Sequence, residues 1–556
     1  MLTFVFFFSI FFISLIGIGF QFNKFFFNFY LFSLGELILI GLFVVSFFLT
    51  FLHLFLPISD LVNILILLIG IIFFFRNFQK IFEFILFEKY LIILLSIVSI
   101  FLFFNYEPNE DFGLYHLPYV INFKSEKIIV GLSNLQINQG WNSLWLNLHT
   151  FFSFKFNEFK TIYILNILFY ISINLIFFKN IFNSNSNKES DNPELLIKYF
   201  SIFFFSYLNI KFSRLNSYGI DVPSNFLLIL SILYFFKILY HDENKLSNLK
   251  FIYMLVVFAF MCRISNALFI FLPIYLTFKF NFFPQIIKLK FFIFILIFSS
   301  TWVIQQFLYT GCIVFPYKFF CSIEPLWYNP NFIQEFKNAT FFVNKSFSSY
   351  VGHLNIETYH SFLNWVPNWF SRTKVEISEH LFTFLIPVFF LIFRKKKNIK
   401  NLFNLLFFNK SIITLLFIIL LSFILWFLNS PVVRMGVHFS FLFLFFPVFL
   451  VLNYFGQLRY SFKKKSIYLL IISTFIFVIS KNIMRVDGEL LKKNIFPSFP
   501  DIKYVTEKKN YNFNINKVKE GNSIQSRVCW NTPFLCTTND DFEVKTINSY
   551  IFIIKK

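Results

Sequence analysis

The sequence predicts an all-α polytopic membrane protein of about 12–14 transmembrane helices, followed by a small soluble C-terminal domain of α+β type. Three observations predict it. Of the 556 residues, 57% are hydrophobic and only 14% charged, where a soluble globular chain carries about 25% charged residues. Apolar runs close to the roughly 20 residues that span a bilayer recur from Met1 to about Ser480. Between these runs, Lys and Arg gather in alternate short connectors, the pattern of a multi-pass chain.

The spans fall at about 2–20, 30–56, 62–75, 90–104, 161–178, 197–212, 223–240, 250–263, 266–280, 291–309, 378–394, 411–428, 437–455 and 466–480. The opening MLTFVFFFSIFFISLIGIGF has neither a basic leading region nor a small-residue cleavage site, and reads as a retained first helix. The pair at 250–280 is separated only by Arg263–Asn266 and could be one bent helix. With fourteen spans and the first entering from outside, five basic groups share the cytoplasmic side: Arg76, Lys80 and Lys89; Lys179, Lys188 and Lys198; Lys279, Lys288 and Lys290; Arg394–Lys397; and Arg459 with Lys463–Lys465. The same topology puts outside the loops at about 105–160 and 310–377, the turns at 213–222 and 431–434, and the tail. The chain thus divides into a membrane module, 1–480, and an extracytoplasmic domain, 481–556. The formal charge of +21 is explained by cytoplasmic loops and not by nucleic acid.

Phe occurs 98 times and Gly 15 times, so a Phe or Lys carries little information here and a rare His, Asp or Trp carries more. Cys529 and Cys536 flank one short tail segment, and Cys312 and Cys321 one outer loop segment. Both pairs suit disulfides in an oxidising compartment. The cysteines and histidines lack the spacing of a zinc site.

The loop at 105–160 is dense in titratable groups: Glu107, Glu110, Asp111, Tyr115 and His116 follow the fourth span. A carboxylate at a membrane boundary can serve as general base toward a hydroxyl, although a solvated helix cap would look the same. The remainder of the loop is rich in Asn, Gln, Trp and His, a surface suited to a polar ligand such as a sugar. Asp221 stands on the outer turn, seven residues after Arg214, and its Asp-Val-Pro context also fits a helix start. Arg434 lies at a boundary where it can snorkel or grip a phosphate. Arg263 is an arginine inside an apolar run.

These segments carry a resemblance. EDFGLYHLPYVINF with GLSNLQINQGWNSLWL, then SYGIDVP, TGCIVFP, SPVVRMG and CWNTPFLCTT, resemble in their order the GT-C class of integral membrane glycosyltransferases. That class includes protein O-mannosyltransferases and aminoarabinose transferases, and the likeness is nearer to a bacterial branch of it. The resemblance implies a polyprenyl-phosphate-linked sugar donor, an acceptor in the cell envelope, glycan or protein, and catalysis on the outer face of a bacterial cytoplasmic membrane. It implies a catalytic acid at Asp111, with Glu110 beside it and Asp221 as a second acidic position. It places the donor phosphate near Arg434 or a loop lysine such as Lys124 or Lys127. A divalent ion could be shared by Asp111 and Asp221. The branch writes Pro-Asp-x-Arg where this chain has Pro431-Val432-Val433-Arg434, so the acid is absent. The acidic loop also follows the fourth span, where many members of the class have it after the first.

Two other classes remain open from the residues. A transporter or flippase of lipid-linked glycans should show charges near span centres and often an internal repeat; few central charges and no repeat are visible. A glycan polymerase would rely on arginine-rich outer loops more than on a carboxylate pair.

Overall fold

The computed structural model describes residues 2–27, 33–103, 111–182, 192–240, 244–321, 323–346, 362–391, 409–454, 464–484, 504–508, 514–518, 529–537 and 542–555. The fold is a helical bundle. Among the described residues eight helices are long and apolar enough to cross a membrane, or nine when one bent pair counts as a span. They are α1 (Leu2–Phe26), α2 (Leu34–His53), α7 (Ile164–Phe182), α9 (Asp221–Tyr240), α10 (Lys245–Cys262), α12 (Lys290–Thr310), α15 (Lys410–Asn429) and α16 (Val433–Tyr454). The bent pair is α3 (Asp60–Arg76) and α4 (Phe78–Phe103), which turn by 87° at Asn77.

The other predicted spans are also helical but do not pass that test among the described residues, so eight or nine spans stand where 12–14 are expected. In α8 (Asn192–Lys211) the first turn carries Glu194 and the last Lys211. In α14 (Phe362–Leu391) the middle of the helix holds Arg372, Lys374, Glu376 and Glu379. Past Cys262 the chain does not continue as one bent helix. Arg263 is extended (φ −155°, ψ 116°), Ile264–Ile270 winds as a 3-10 helix, and α11 (Phe271–Lys279) follows. The chain continues through α13 (Pro330–Ser346), an amphipathic helix, to α17 (Lys464–Ile483).

α1, α2 and α3 approach closely at glycines, where a Cβ at Gly17 would lie 2.0 Å from Gly70 O and one at Gly41 2.3 Å from Leu15 O. Elsewhere the helices interlock through phenyl rings. Phe43 meets Phe298 at 5.1 Å and Phe200 meets Phe445 at 5.1 Å, both edge to face. Several polar side chains inside the bundle bond across elements. Two short helices of the 111–160 segment, α5 (Leu117–Ser125) and α6 (Leu144–Phe151), are fastened this way. Tyr119 donates to Asn147 at 2.7 Å, and Asn147 donates to Thr50 of α2 at 2.9 Å.

After residue 484 the described residues form five strands and the turns at 529–535 and 548–549. β1 (Tyr504–Lys508) pairs antiparallel with β2 (Asn514–Val518), which pairs parallel with β3 (Cys536–Thr537). β4 (Phe542–Ile547) and β5 (Tyr550–Lys555) form an antiparallel hairpin. These strands dock on the 111–160 segment. Val130 N–H donates to Ile551 O at 2.9 Å and Ile553 N–H to Val130 O at 2.8 Å.

At the opposite end of the bundle Glu36 is 1% exposed. It caps α2 with Ser33 and pairs with Lys179 of α7 at 3.2 Å. Removing one partner of a buried pair leaves an uncompensated charge and costs about 3–5 kcal/mol. Lys179→Met should therefore lower the melting temperature of the solubilised protein sharply. The double variant Glu36→Gln/Lys179→Met should recover part of the loss, which a thermal melt of both proteins checks.

Candidate functional site

Four charged side chains from four distant segments meet at the end of the bundle that carries the 111–160 segment. Asp111 precedes a single π-helical turn, Phe112–His116, that runs into α5. Such turns recur at functional sites because they re-aim side chains that an α-helix would point elsewhere. Asp221 opens α9. Its Val-Pro sequel starts the helix, yet its carboxylate turns outward to arginines. Arg263 reaches the site because α10 stops at Cys262. Arg434 enters from the first turn of α16. The tight turn before it is pinned by two indoles: Trp369 Nε1–H donates to Pro431 O at 2.6 Å and Trp426 Nε1–H to Val432 O at 3.0 Å.

The charges alternate. Arg263 Nη1 lies 3.0 Å from Asp221 Oδ1 as an ion pair, and also donates to Met435 O at 2.9 Å. Asp221 Oδ2 lies 3.5 Å from Arg434 Nε. Arg434 Nη2 donates to Asp111 Oδ2 at 2.9 Å. Exposure steps up from the inner pair to the outer: the side chains of Asp221 and Arg263 are 10% and 11% exposed, those of Asp111 and Arg434 30% and 45%. The inner pair is largely shielded and the outer pair is open to solvent. Arg434 thus lies between two acids, Asp111 and Asp221.

Tyr115 and His116 line the base of the row. Burial, and then the charges of Asp111 and Asp221, push the Tyr115 phenol well above its ordinary value, so it stays a donor. Burial pushes His116 down to about 3, with Asp221 opposing and Arg434 reinforcing. The neighbouring His149 imidazole, ring centroid 6.4 Å away, is likewise pushed to about 3 by burial and then by His116. Tyr317, inside the loop closed by the Cys312–Cys321 disulfide, lies within the field of Arg263.

Other sequence-based expectations fall elsewhere. Lys124 is not a site cation. It is buried, pairs with Asp60 at 2.7 Å and donates to Ser153 O at 2.7 Å; burial lowers it to about 8 against the Asp60 hydrogen bond. Lys127 is also spent on structure, donating to Ser549 at 2.6 Å and capping the Tyr550 ring at 3.7 Å. Arg214 is exposed on the turn leading to Asp221. Glu110 lies outside the described residues. Cys529 is bonded to Cys536. A hollow of about 520 Å³ on α14 is lined by Lys374, Val375, Ser378, Glu379 and Phe382, and by none of the four charged residues. Arg263 joins the site although only its place in an apolar run singles it out in the sequence.

The donor set does not suit a divalent cation. A metal between Asp111 and Asp221 would displace or face two guanidinium groups that already neutralise both acids. Among the described residues no three His, Cys, Asp or Glu side chains gather as a metal site.

The family model described as "Domain of unknown function (DUF8201)" matches residues 1–441. The chain belongs to this DUF8201 family. The match takes in Asp111, Asp221, Arg263 and Arg434, and ends before the C-terminal strands. No curated protein and no solved structure shows a significant match to the chain.

Exposure separates the two acids in their effect on stability. Asp221→Asn strands the buried Arg263 charge and should cost about 3–5 kcal/mol. Asp111→Asn breaks a solvated pair and should cost about 0–1 kcal/mol. Denaturation of the two variants side by side checks the order. The histidines add a pH dependence. An unfolded His titrates near 6.5 and these two near 3, so the unfolded chain binds more protons between those values. Their stabilising contribution is complete above about pH 6.5 and is lost on acidification, by roughly 2 kcal/mol per histidine at pH 5. His116→Asn/His149→Asn should flatten the fall of melting temperature from pH 7 to 5, and an unchanged slope would refute the assignment.

Proposed function

We propose that the protein is a GT-C-type membrane glycosyltransferase. It moves a sugar from a polyprenyl-phosphate donor to a hydroxyl of an envelope acceptor, on the outer face of a bacterial cytoplasmic membrane, with its C-terminus outside. The observation that carries this reading is the pairing of a solvent-accessible carboxylate, Asp111, with a solvent-accessible guanidinium, Arg434, over a buried Asp221–Arg263 support. A hydrophobic helical body beside such a site suits a donor whose tail lies in lipid and whose phosphate sits at the boundary.

The chemistry follows from the exposure gradient. The donor phosphate binds Arg434, whose planar fork matches phosphate oxygens. Engagement of Arg434 by the anion loosens its hold on Asp111, which then accepts a hydrogen bond from the acceptor hydroxyl. The hydroxyl oxygen attacks the anomeric carbon, the bond from that carbon to the phosphate oxygen breaks, and the configuration inverts. The hydroxyl proton passes to Asp111 and the electron pair leaves with polyprenyl phosphate. Arg434 and the positive field of Arg263 balance the charge that develops there. The Tyr115 phenol, held protonated, is a hydrogen-bond donor for the sugar.

Asp111→Asn should insert and melt like the parent chain but lower transfer roughly 10²–10⁴-fold, the usual worth of a general base. Arg434→Ala should raise the KM for the donor as well as lower kcat. Both are measured with membranes and a panel of labelled polyprenyl-phosphate sugars. Undiminished transfer by Asp111→Asn would sink the proposal.

A further inference from the structure

The C-terminal disulfide loop touches the turn that aims Asp111. The Cys529–Cys536 bond closes a loop in which Trp530 is 5% exposed. The Trp530 ring lies flat against Gly113, two residues from Asp111. A Cβ placed at Gly113 would stand 2.2 Å from the indole, closer than any side chain tolerates. Trp530 N–H donates to Gly113 O at 2.9 Å. Phe112 packs between the indole and Tyr163, with ring centroids at 6.4 and 5.2 Å.

A second glycine repeats the pattern. Gly131 takes φ +74°, and a Cβ there would lie 2.1 Å from Ile553 O of β5. Asn134 Nδ2 donates to the same carbonyl at 2.9 Å, and Thr537 Oγ1 to Leu135 O at 3.2 Å. A chain with only 15 glycines in 556 residues thus spends two where the loop segment meets its own C-terminus. A π-helical turn is intrinsically less stable than an α-turn and needs support from outside. Among the described residues the C-terminal loop supplies that support at the turn's first residues.

We propose that Trp530 is a positioning residue for Asp111, and that the Cys529–Cys536 loop is a clamp holding the π-helical turn in the geometry that presents the carboxylate to Arg434. Its kinetic consequence rests on the transfer reading; its structural consequence does not. The indole fills the space over Gly113 and the backbone bond fixes the turn's register. The disulfide keeps the loop from opening and so makes the site's order depend on an oxidising compartment.

The test uses the full chain in nanodiscs and hydrogen exchange of the 111–117 amides, with those of α9 as reference. Trp530→Ala and, independently, Cys529→Ser/Cys536→Ser should speed exchange of 111–117 by about tenfold or more while leaving α9 unchanged, as a local opening does. Trp530→Phe, which keeps a flat ring on Gly113, should restore most of the protection. Transfer by the first two variants should fall in kcat with the donor KM unchanged. Unchanged exchange at 111–117 in both variants, or equal acceleration across α9, would overturn the clamp. Faster exchange at 111–117 alone, in a chain whose parent transfers no polyprenyl-phosphate sugar, would support the clamp and sink the transferase reading.

Discussion

The row Arg263–Asp221–Arg434–Asp111 is the constraint around which the loop end of this bundle is built. A guanidinium or carboxylate at about a tenth of its full exposure loses most of its hydration, and each unpaired one would cost several kcal/mol. Two acids and two bases in alternation cancel formally and give every buried charge an opposite neighbour. Three irregularities deliver them: the stop of α10 after Cys262, the pinned turn at Pro431–Val433, and the π-helical turn after Asp111. Each departs from regular helix where a regular helix would carry the side chain past the site.

The gradient of exposure along the row gives the site its direction. The inner ion pair is held by backbone as well, through Met435 O, and has little freedom. The outer pair faces solvent. Beneath it, Tyr115 and His116 are kept in their neutral forms by burial. A row that was equally buried throughout would be a structural ion-pair ladder; one equally exposed would be worth little energetically.

The loop end is held from both sides. From below, Asn147 and Tyr119 tie the short helices to α2. From above, the strands after residue 484 lie across the same segment, and Lys127 spends its charge there. The family match ends at 441, so this upper contact belongs to a part of the chain outside the shared module.

Much of the fold is legible in the sequence, because hydropathy is a local property and a bilayer reads it one helix at a time. Each predicted span has a helical counterpart, though charges at the ends of α8 and in the middle of α14 set those two apart from the eight most apolar helices. Asp111, Asp221 and Arg434 are visible as rare charged groups at helix boundaries, and Arg263 as a charge in an apolar run. Nothing local separates the loop lysines from the site arginines. Lys124 finds Asp60 and Lys127 finds Ser549, partners 64 and 422 residues away by position number. The amino-acid sequence by itself determined that the chain is a polytopic membrane bundle with its rare charges at helix ends. Only the tertiary structure decided which cation meets which acid. Arg434 and Asp111 are 323 residues apart, and their 2.9 Å contact exists because helix breaks, not local pattern, set the direction of each side chain.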